Sequence, residues 1–411
     1  MGTDSARQRA RSDLSRLAAA RLDNDGFRWE AAGILRRAIG FDGWCWLLTD
    51  PGSRLPTRDL GENMLVDQAI RSFVRRHPEA WDGPWDQSAG QPVTVISAVT
   101  GGDLARDPAW RETFGPAGVG DHLSAPLMAD GTCWAQLHIQ RDSCGEFFSA
   151  DDAELIAGVA PMLAARIRDG LPGRAPYDDT APRYDPLPEP GTIITDGELS
   201  LIAATQAAWD WIDRLGLTKP NDAEPLPGFI YAAATRAAMS RAREAELRPI
   251  RVRLQAADRR WAVVRVARLL GASGGYVITF EAARSEDLVP LLMRAWSLTP
   301  REREVARLVI DGLSSQDIAR ALFISVHTVR DHLKSIFGKT GVSRRQDLVT
   351  ALAGGARPAS RRTDDRWTDS GHRADRTDGP RVSVWRVKCR PPASNFKSDR
   401  AELAVPLPEH P

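Results

Sequence analysis

The chain has 411 residues, 42% of them hydrophobic, and a formal net charge of +1. This length predicts about three domains, and the charge balance gives no sign of a chain-wide basic surface for nucleic acid. There is no apolar run of membrane-spanning length, no hydrophobic signal core at the N-terminus and no cysteine spacing typical of zinc sites. We therefore expect a cytoplasmic protein with no membrane partner and no metal.

The first 170 residues predict a unit of helices and antiparallel strands. Helical periodicity occurs at 4–22, 29–39 and 60–76, and strand patterns occur at 44–48, 123–129 and 132–140. Asp130-Gly131 is a two-residue hairpin signal between the last two strands. Ser149 with Asp152 predicts a capping box for a closing helix at 150–169.

The second hairpin strand predicts two unlike sheet faces, because Gln136 and His138 alternate with apolar residues. The order of helix, antiparallel sheet and closing helix resembles a GAF-type sensory domain, and 147–168 resembles the end of the GAF units in LuxR-type regulators. The resemblance implies a ligand pocket beside one sheet face, with five candidate residues: Trp46, His122, Trp134, Gln136 and His138. The alternative is that the aromatic residues belong to the core and that His138 is a solvated strand residue.

Residues 171–190 are dense in Pro, Asp and Gly, and this composition predicts a linker. In the following region, 191–284, Asp196-Gly197 predicts a tight turn and Thr205 caps a helix that ends at Gly216. Strand patterns lie at 192–195, 199–203, 251–254, 261–269 and 276–280. This order of elements resembles a PAS-like fold.

A connecting helix is predicted at 285–296. Its apolar stripe consists of Leu288, Leu291, Leu292 and Ala295. The stripe fits either a signalling or dimer helix or a helix that packs on the PAS-like sheet.

Residues 297–355 contain four short amphipathic helix patterns with well-defined ends. Thr299, Pro300 and Glu302 give the first helix a capping box with proline at its first position. The other boundaries are serine caps at Ser314, Ser325 and Ser343 and terminal glycines at Gly312 and Gly341. Short connections between such helices are typical of a helix-turn-helix.

The third of these helices, from Ser325 to about Thr340, has one apolar and one polar face. The polar face carries residues at positions i, i+3, i+4 and i+7, namely His327, Arg330, Asp331 and Lys334. A helix of this width fits the major groove, where arginine can bind guanine and aspartate can accept from cytosine N4. The alternative is a solvated face with an ion pair between Asp331 and Lys334.

The stretch 298–352 resembles the C-terminal helix-turn-helix of LuxR-type transcription factors in its Leu-Thr-Pro-Arg-Glu start and its Ser-Val-His-Thr-Val-Arg-Asp-His-Leu-Lys third helix. The resemblance implies base contacts from the polar face at Arg330, Asp331 and Lys334, with His327 beside them. It implies phosphate contacts near Ser325, Thr328, and Arg344 or Arg345.

Residues 297–355 carry nine basic and six acidic side chains, which is only a small positive excess. We therefore expect a homodimer, because two copies together would bind double-stranded DNA more tightly than one. A small-molecule effector and RNA polymerase are the other candidate partners. The tail, 356–411, lacks hydrophobic periodicity and predicts disorder.

The expected fold is multidomain α+β: GAF-like (1–170) and PAS-like (191–284) antiparallel sheets with helices, then an all-α four-helix domain. The expected function is a sequence-specific DNA-binding transcriptional regulator, with no catalytic residues and no cofactor. The sequence lacks a Gly-x-Ser-x-Gly elbow, a phosphate loop and a His-Glu-x-x-His motif. Two alternatives stay open: an enzyme whose sensory-like domains carry the activity, and a protein-interaction module.

Overall fold

The computed structural model describes residues 2–20, 22–64, 93–171, 186–217, 226–239, 249–256, 258, 260–270 and 274–352. The predicted tail and most of the predicted linker lie outside these residues.

The first sheet is antiparallel and has five strands in the order β2-β1-β5-β4-β3. Its strands are β1 (Gly43–Thr49), β2 (Pro56–Glu62), β3 (Thr94–Val95), β4 (Val119–Ala129) and β5 (Thr132–Asp142). The helices of this unit are α1 (Gly2–Ala19), α2 (Asn24–Ile39), the short α3 (Ile96–Val99) and α4 (Ala150–Gly170). Helices α1, α2 and α4 pack together, and α4 also lies against β4 and β5.

Local signals in this unit give the expected structure at several places. Ser149 and Asp152 form the predicted capping box at the start of α4. Asp130 and Gly131 both have positive φ, 50° and 70°, as a tight hairpin turn requires. Helix α2 begins five residues earlier than expected, because the side chain of Asp23 caps it.

The helix predicted at 60–76 is wrong at 60–62, where the structure has a strand. Residues 60–62 are the end of β2, which pairs with β1 from Trp44 to Thr49. Cross-strand pairing overrides the local helical pattern here. Residues 65–76 lie outside the described part of the chain.

The second sheet repeats the strand order of the first, as β7-β6-β10-β9-β8. Its strands are β6 (Gly191–Thr195), β7 (Leu201–Ala204), β8 (Ile250–Gln255), β9 (Trp261–Arg268) and β10 (Tyr276–Ala282). Helices α5 (Gln206–Arg214) and α6 (Gly228–Met239) accompany it. The PAS-like interpretation of this sheet stays a prediction.

The turn between β6 and β7 is longer than the predicted Asp-Gly pair. The carboxylate of Asp196 accepts hydrogen bonds from the backbone N–H groups of Glu198 and Ser200 at 2.9 and 2.8 Å. The residue with positive φ is Leu199, at 65°, so β7 starts at Leu201. The aspartate side chain, by bonding to the backbone ahead of it, sets the turn.

A connecting helix, α7 (Ser285–Ala295), leads into four further helices: α8 (Pro300–Ile310), α9 (Ser315–Leu322), α10 (Val326–Thr340) and α11 (Arg345–Leu352). The apolar stripe of α7 is buried in one cluster with the cores of α8 to α11, and α7 packs against α11. The N-terminal end of α7 lies near β8, because Nε of Arg253 donates to the carbonyl of Asp287 at 2.5 Å. The connecting helix therefore contacts both of its neighbours, and a signalling or dimer role for its apolar stripe stays a prediction.

The helix ends in 297–352 follow the sequence signals closely. Thr299 and Glu302 form the predicted capping box of α8, and Ser314 forms one with Asp317 for α9. The fourth helix differs slightly, since it begins at Arg345 and is therefore preceded by Arg344 rather than by Ser343. Among the helices of the described ranges, none combines the length and apolar character that a bilayer span requires.

Candidate nucleic-acid interface and sensory face

The start of α10 is fixed by its cap. Oγ of Ser325 accepts from the backbone N–H of Thr328 at 3.0 Å and lies 2.9 Å from the Thr328 hydroxyl. At the other end, Gly341 has a φ of 67°, and its N–H donates to the carbonyl of Phe337. The helix therefore presents a defined N-terminus, where unpaired N–H groups and the helix dipole favour an anion such as phosphate.

The two faces of α10 are separated as the sequence predicts. Val329, Leu333 and Ile336 are buried against the other helices. The exposed residues of the opposite face are His327, Arg330, Asp331 and Lys334. None of the described residues therefore covers this face.

One pairing on the exposed face differs from the alternative drawn from the sequence. Asp331 contacts His327, with 3.0 Å between Oδ2 and Nδ1, rather than Lys334. Within the described part of the chain, the Arg330 and Lys334 side chains have no hydrogen-bond or ion-pair partner. Both basic groups can therefore reach outward without breaking a contact in the protein.

The phosphate candidates fall into two groups. Ser325 and Thr328 lie at the start of α10, and Arg344 is exposed just before α11. The guanidinium of Arg345 is instead half-buried and donates to the carbonyl of Leu313. Arg344 is thus the better placed of the two arginines that the sequence left open.

Glu302 ties α8 to α10, a role that sequence reasoning did not assign. Its side chain is 5% exposed, and its carboxylate accepts from Nζ of Lys339 and from Oγ of Ser335, both at 2.6 Å. Burial opposes ionisation, but the bonds from Lys339, Ser335 and Thr299 outweigh it and lower the pKa of Glu302 to about 2. Lys339 therefore serves the domain interior, although the sequence shows it only as one more basic residue of this helix.

Phe323, between α9 and α10, combines a left-handed backbone with a 95% exposed aromatic ring. A residue with a Cβ loses roughly 1–2 kcal/mol in this conformation, and asparagine tolerates it better. We expect Phe323→Asn to raise the unfolding free energy of the helical domain by about 1 kcal/mol, since little buried surface is lost. Thermal unfolding of the full chain, with and without the substitution, measures this change in stability.

Phe323→Ala is the control for that prediction, because alanine keeps the Cβ and offers no polar side chain. It should not raise the unfolding temperature. A lower unfolding temperature for Phe323→Asn than for the unmodified chain would contradict the assignment of strain to this position.

In the first sheet, His122, Gln136 and His138 lie together. Nδ1 of His138 and Nε2 of His122 are 3.2 Å apart, and Nε2 of His138 donates to Oε1 of Gln136 at 3.2 Å. Phe114 stacks on His122 with ring centroids 5.1 Å apart. Sequence reasoning missed Phe114, which ends a single π-helical turn, Trp110–Phe114, that the sequence patterns did not predict.

The two histidines of this cluster are neutral. Burial lowers the pKa of His122 to about 4 and, together with the neighbouring His122, lowers that of His138 to about 3. The amide oxygen of Gln136 can only accept, so the neutral His138 donates from Nε2 and accepts at Nδ1 from His122. This hydrogen-bonded chain leaves Nδ1 of His122 as an acceptor. His138 is accordingly not the solvated strand residue of the alternative.

Two of the five pocket candidates lie elsewhere. Trp46 pairs with Leu137, whereas Gln136 pairs with the adjacent Leu47, so Trp46 points to the opposite sheet face. Trp134 falls at an irregularity of the β4–β5 pairing and is buried in the main core. A bulge of this kind breaks the simple alternation on which the prediction rested. The core alternative is therefore correct for both tryptophans.

Two known protein families match separate parts of the chain. Residues 296–352 match the family described as "Bacterial regulatory proteins, luxR family", and residues 30–167 match the family described as "GAF domain". The C-terminal helices are thus a LuxR-family helix-turn-helix domain, and the first sheet with its helices is a GAF domain, as the sequence resemblances predicted.

Two relatives match only short segments of the chain. An HTH-type transcriptional regulator of Mycobacterium bovis is 51% identical over 61 residues, which is 15% of this chain and 7% of that protein. The monoamine regulon transcriptional regulator of Klebsiella aerogenes is 40% identical over 83 residues, 20% of this chain and 33% of that protein. The chain thus covers a third or less of the length of either relative.

Among solved structures, Escherichia coli SdiA has a TM-score of 0.31 at 12% identity, covering 84% of this chain and 97% of SdiA. A GAF domain from a Coxiella burnetii phosphoenolpyruvate-protein phosphotransferase has a TM-score of 0.28 at 14% identity. The match covers 40% of this chain and 93% of that GAF domain chain. Scores at this level do not define a shared overall fold.

Proposed function

We propose that this protein is a sequence-specific transcriptional regulator that binds double-stranded DNA as a homodimer, under the control of a small molecule bound in the N-terminal region. The observation that carries the proposal is the exposed face of α10, where Arg330 and Lys334 have no partner among the described residues, while the opposite face is buried. A DNA-binding role implies action in the cytoplasm and, where the protein activates genes, contact with RNA polymerase.

In this proposal α10 enters the major groove with its N-terminus leading. Arg330 donates to O6 and N7 of a guanine, and Asp331, positioned by His327, accepts from N4 of a cytosine. The N–H groups at the Ser325 cap contact one phosphate. Arg344 contacts another phosphate of the groove wall. The resemblance implies a base contact for Lys334, but its long, unpaired ammonium can equally reach a phosphate, and we propose the phosphate contact.

The sensory half of the proposal rests on the cluster of His122, Gln136 and His138. The buried His122 and Gln136 and the half-buried His138, beside an aromatic ring, supply both apolar contact and directed hydrogen bonds, which is the composition typical of small-molecule sites. The neutral acceptor at His122 favours a ligand with a hydrogen-bond donor. No enzymatic step is proposed for this site.

Selection of genomic DNA fragments by the purified full chain tests the proposal most directly. We expect enriched fragments to share a two-fold sequence whose half-sites lie about one helical turn, roughly 10 base pairs, apart. Binding should weaken steeply with salt. Fragments without a shared sequence, bound with little salt dependence, would instead favour the protein-interaction alternative.

Lys334→Ala should weaken binding to all DNA sequences by a similar factor, because a phosphate contact carries no base information. The slope of log K against log salt should become shallower by about 0.9 for each α10 in the complex. Titrations at several salt concentrations measure both effects.

Arg307→Ala is the matched control for that prediction, since it removes one exposed positive charge from α8 of the same domain. It should leave the salt slope unchanged. Equal slopes for Lys334→Ala and the unmodified chain would place Lys334 away from the phosphates.

A further inference from the structure

The turn between β1 and β2, residues 50–55, lies in contact with two later parts of the chain. Its carboxylate, on Asp50, is fully buried and accepts from Nη1 of Arg253 on β8, 3.0 Å from each oxygen. The same carboxylate also accepts from the N–H of Gly52 at 3.0 Å and the hydroxyl of Ser53 at 3.0 Å. The turn is thus held in one shape by the ion pair that joins the two sheets.

The connecting helix α7 contacts the same turn. Nη1 of Arg294 donates to the carbonyl of Pro51 at 2.9 Å. Arg253, which binds Asp50 through Nη1, donates through Nε to the carbonyl of Asp287 at the start of α7. One guanidinium therefore bridges the GAF turn and the helix that leads into the DNA-binding domain.

Apolar packing supports these polar contacts. Leu55, the last residue of the turn, is 1% exposed and belongs to the core cluster of the second sheet, not to that of the GAF domain. A second helix also donates to the turn. Nη1 of Arg236 on α6 donates to the carbonyl of Ser53. The turn is consequently anchored by a side chain inserted into a neighbouring core.

The turn is also continuous with the candidate sensory face. Strand β1 ends at Thr49, directly before Asp50, and its Cys45 lies opposite His138 in the β1–β5 pairing. The β1–β5 ladder thus joins His138 to Cys45, and five residues after Cys45 the chain reaches Asp50. The route from the histidine cluster to the ion pair therefore runs along two paired strands.

From these contacts we infer that the 50–55 turn is a coupling joint, through which the state of the GAF domain controls the position of α7 and hence of the helix-turn-helix. The inference deepens the proposed function by naming its regulatory route. Its two working parts are the Asp50–Arg253 ion pair and the Arg294–Pro51 hydrogen bond. A change at the histidine cluster alters α7 only while these contacts are intact.

Hydrogen–deuterium exchange of the full chain tests the joint without DNA or ligand. We expect Asp50→Asn to accelerate amide exchange in 285–295 by about fivefold or more, and to leave the centre of α4 unchanged. Gly52→Leu should do the same without removing charge, because a side chain at this position would overlap the Arg253 guanidinium. Unchanged exchange in 285–295 for both variants would overturn the inference.

Asp130→Asn is the matched control, since it removes an aspartate at another GAF hairpin turn that pairs with Arg168, at 2.6 Å, inside the domain. It should leave 285–295 unaffected. Acceleration by Asp130→Asn as large as that by Asp50→Asn would mean general loosening and would also overturn the inference.

His138→Asn tests the coupling itself when it is made both in the otherwise unmodified chain and in the chain that carries Asp50→Asn. We expect this substitution to change exchange in 285–295 in the otherwise unmodified chain, and to cause no further change when Asp50→Asn is present. An equal change in both backgrounds, or none in either, would overturn the joint. DNA selection by the unmodified chain is independent of these outcomes, so a failure of the proposed DNA binding would be recognised separately.

Discussion

Arg330→Ala is expected to weaken binding to the preferred DNA site by about 1–3 kcal/mol for each half-site, roughly 5- to 150-fold, and to relax the preference at one base pair. The guanidinium is exposed and has no partner among the described residues, so its removal leaves the fold intact. The loss should be confined to the preferred sequence, because bidentate contact with guanine depends on the base. Competition titrations with the selected site and with single-base variants measure it.

Arg330→Lys is the sharper companion variant. Lysine keeps the positive charge but cannot form the planar two-bond contact with guanine. We expect it to retain affinity for unrelated DNA and to lose most of the discrimination. Losses of the same size on every sequence, for either variant, would contradict base reading by Arg330 and reduce its role to charge.

The helix-turn-helix could be predicted nearly to the residue because its signals are local. Thr299, Ser314 and Ser325 each bond to a backbone N–H three residues ahead, so the information that starts each helix lies within one turn. The division of α10 into two faces follows from helical periodicity alone.

The sensory face could be predicted only in part. His122, Gln136 and His138 do meet, but the assignment of Trp46 needed the register between β1 and β5, which depends on residues about 90 positions apart. One irregular position in β4–β5 was enough to move Trp134 into the core. Periodicity gives the faces of a strand, whereas register and bulges decide which faces coincide.

Contacts between distant segments gave no readable signal at all. Asp50 appears in the sequence as an ordinary turn residue, and Arg253 appears as a polar position on a strand. Their ion pair spans 203 residues of chain. Lys339 is a similar case, since a lysine on a DNA-reading helix suggests phosphate contact until Glu302 is found 2.6 Å away.

Glu302→Gln is expected to lower the unfolding free energy of the helix-turn-helix domain by about 3 kcal/mol at pH 7, because a pKa moved from 4.5 to about 2 corresponds to that amount. The carboxylate is the point where α8 holds α10, through Lys339 and Ser335. Glutamine preserves the size of the side chain, so the loss reports the charge and its hydrogen bonds. Calorimetry of the full chain measures the shift.

The stability difference between Glu302→Gln and the unmodified chain should depend on pH, in a direction set by the pKa shift. The folded-state pKa of Glu302 is depressed, so its stabilisation is complete above the unfolded value of 4.5 and disappears as the pH falls towards 2. The stability difference between Glu302→Gln and the unmodified chain should therefore narrow steadily below pH 4.5. Glu304→Gln, on the same helix but exposed and paired only with Arg301 among the described residues, should change stability by less than about 0.5 kcal/mol. A difference for Glu302→Gln that stays constant between pH 7 and pH 3 would show that the ionised carboxylate does not hold α8 to α10.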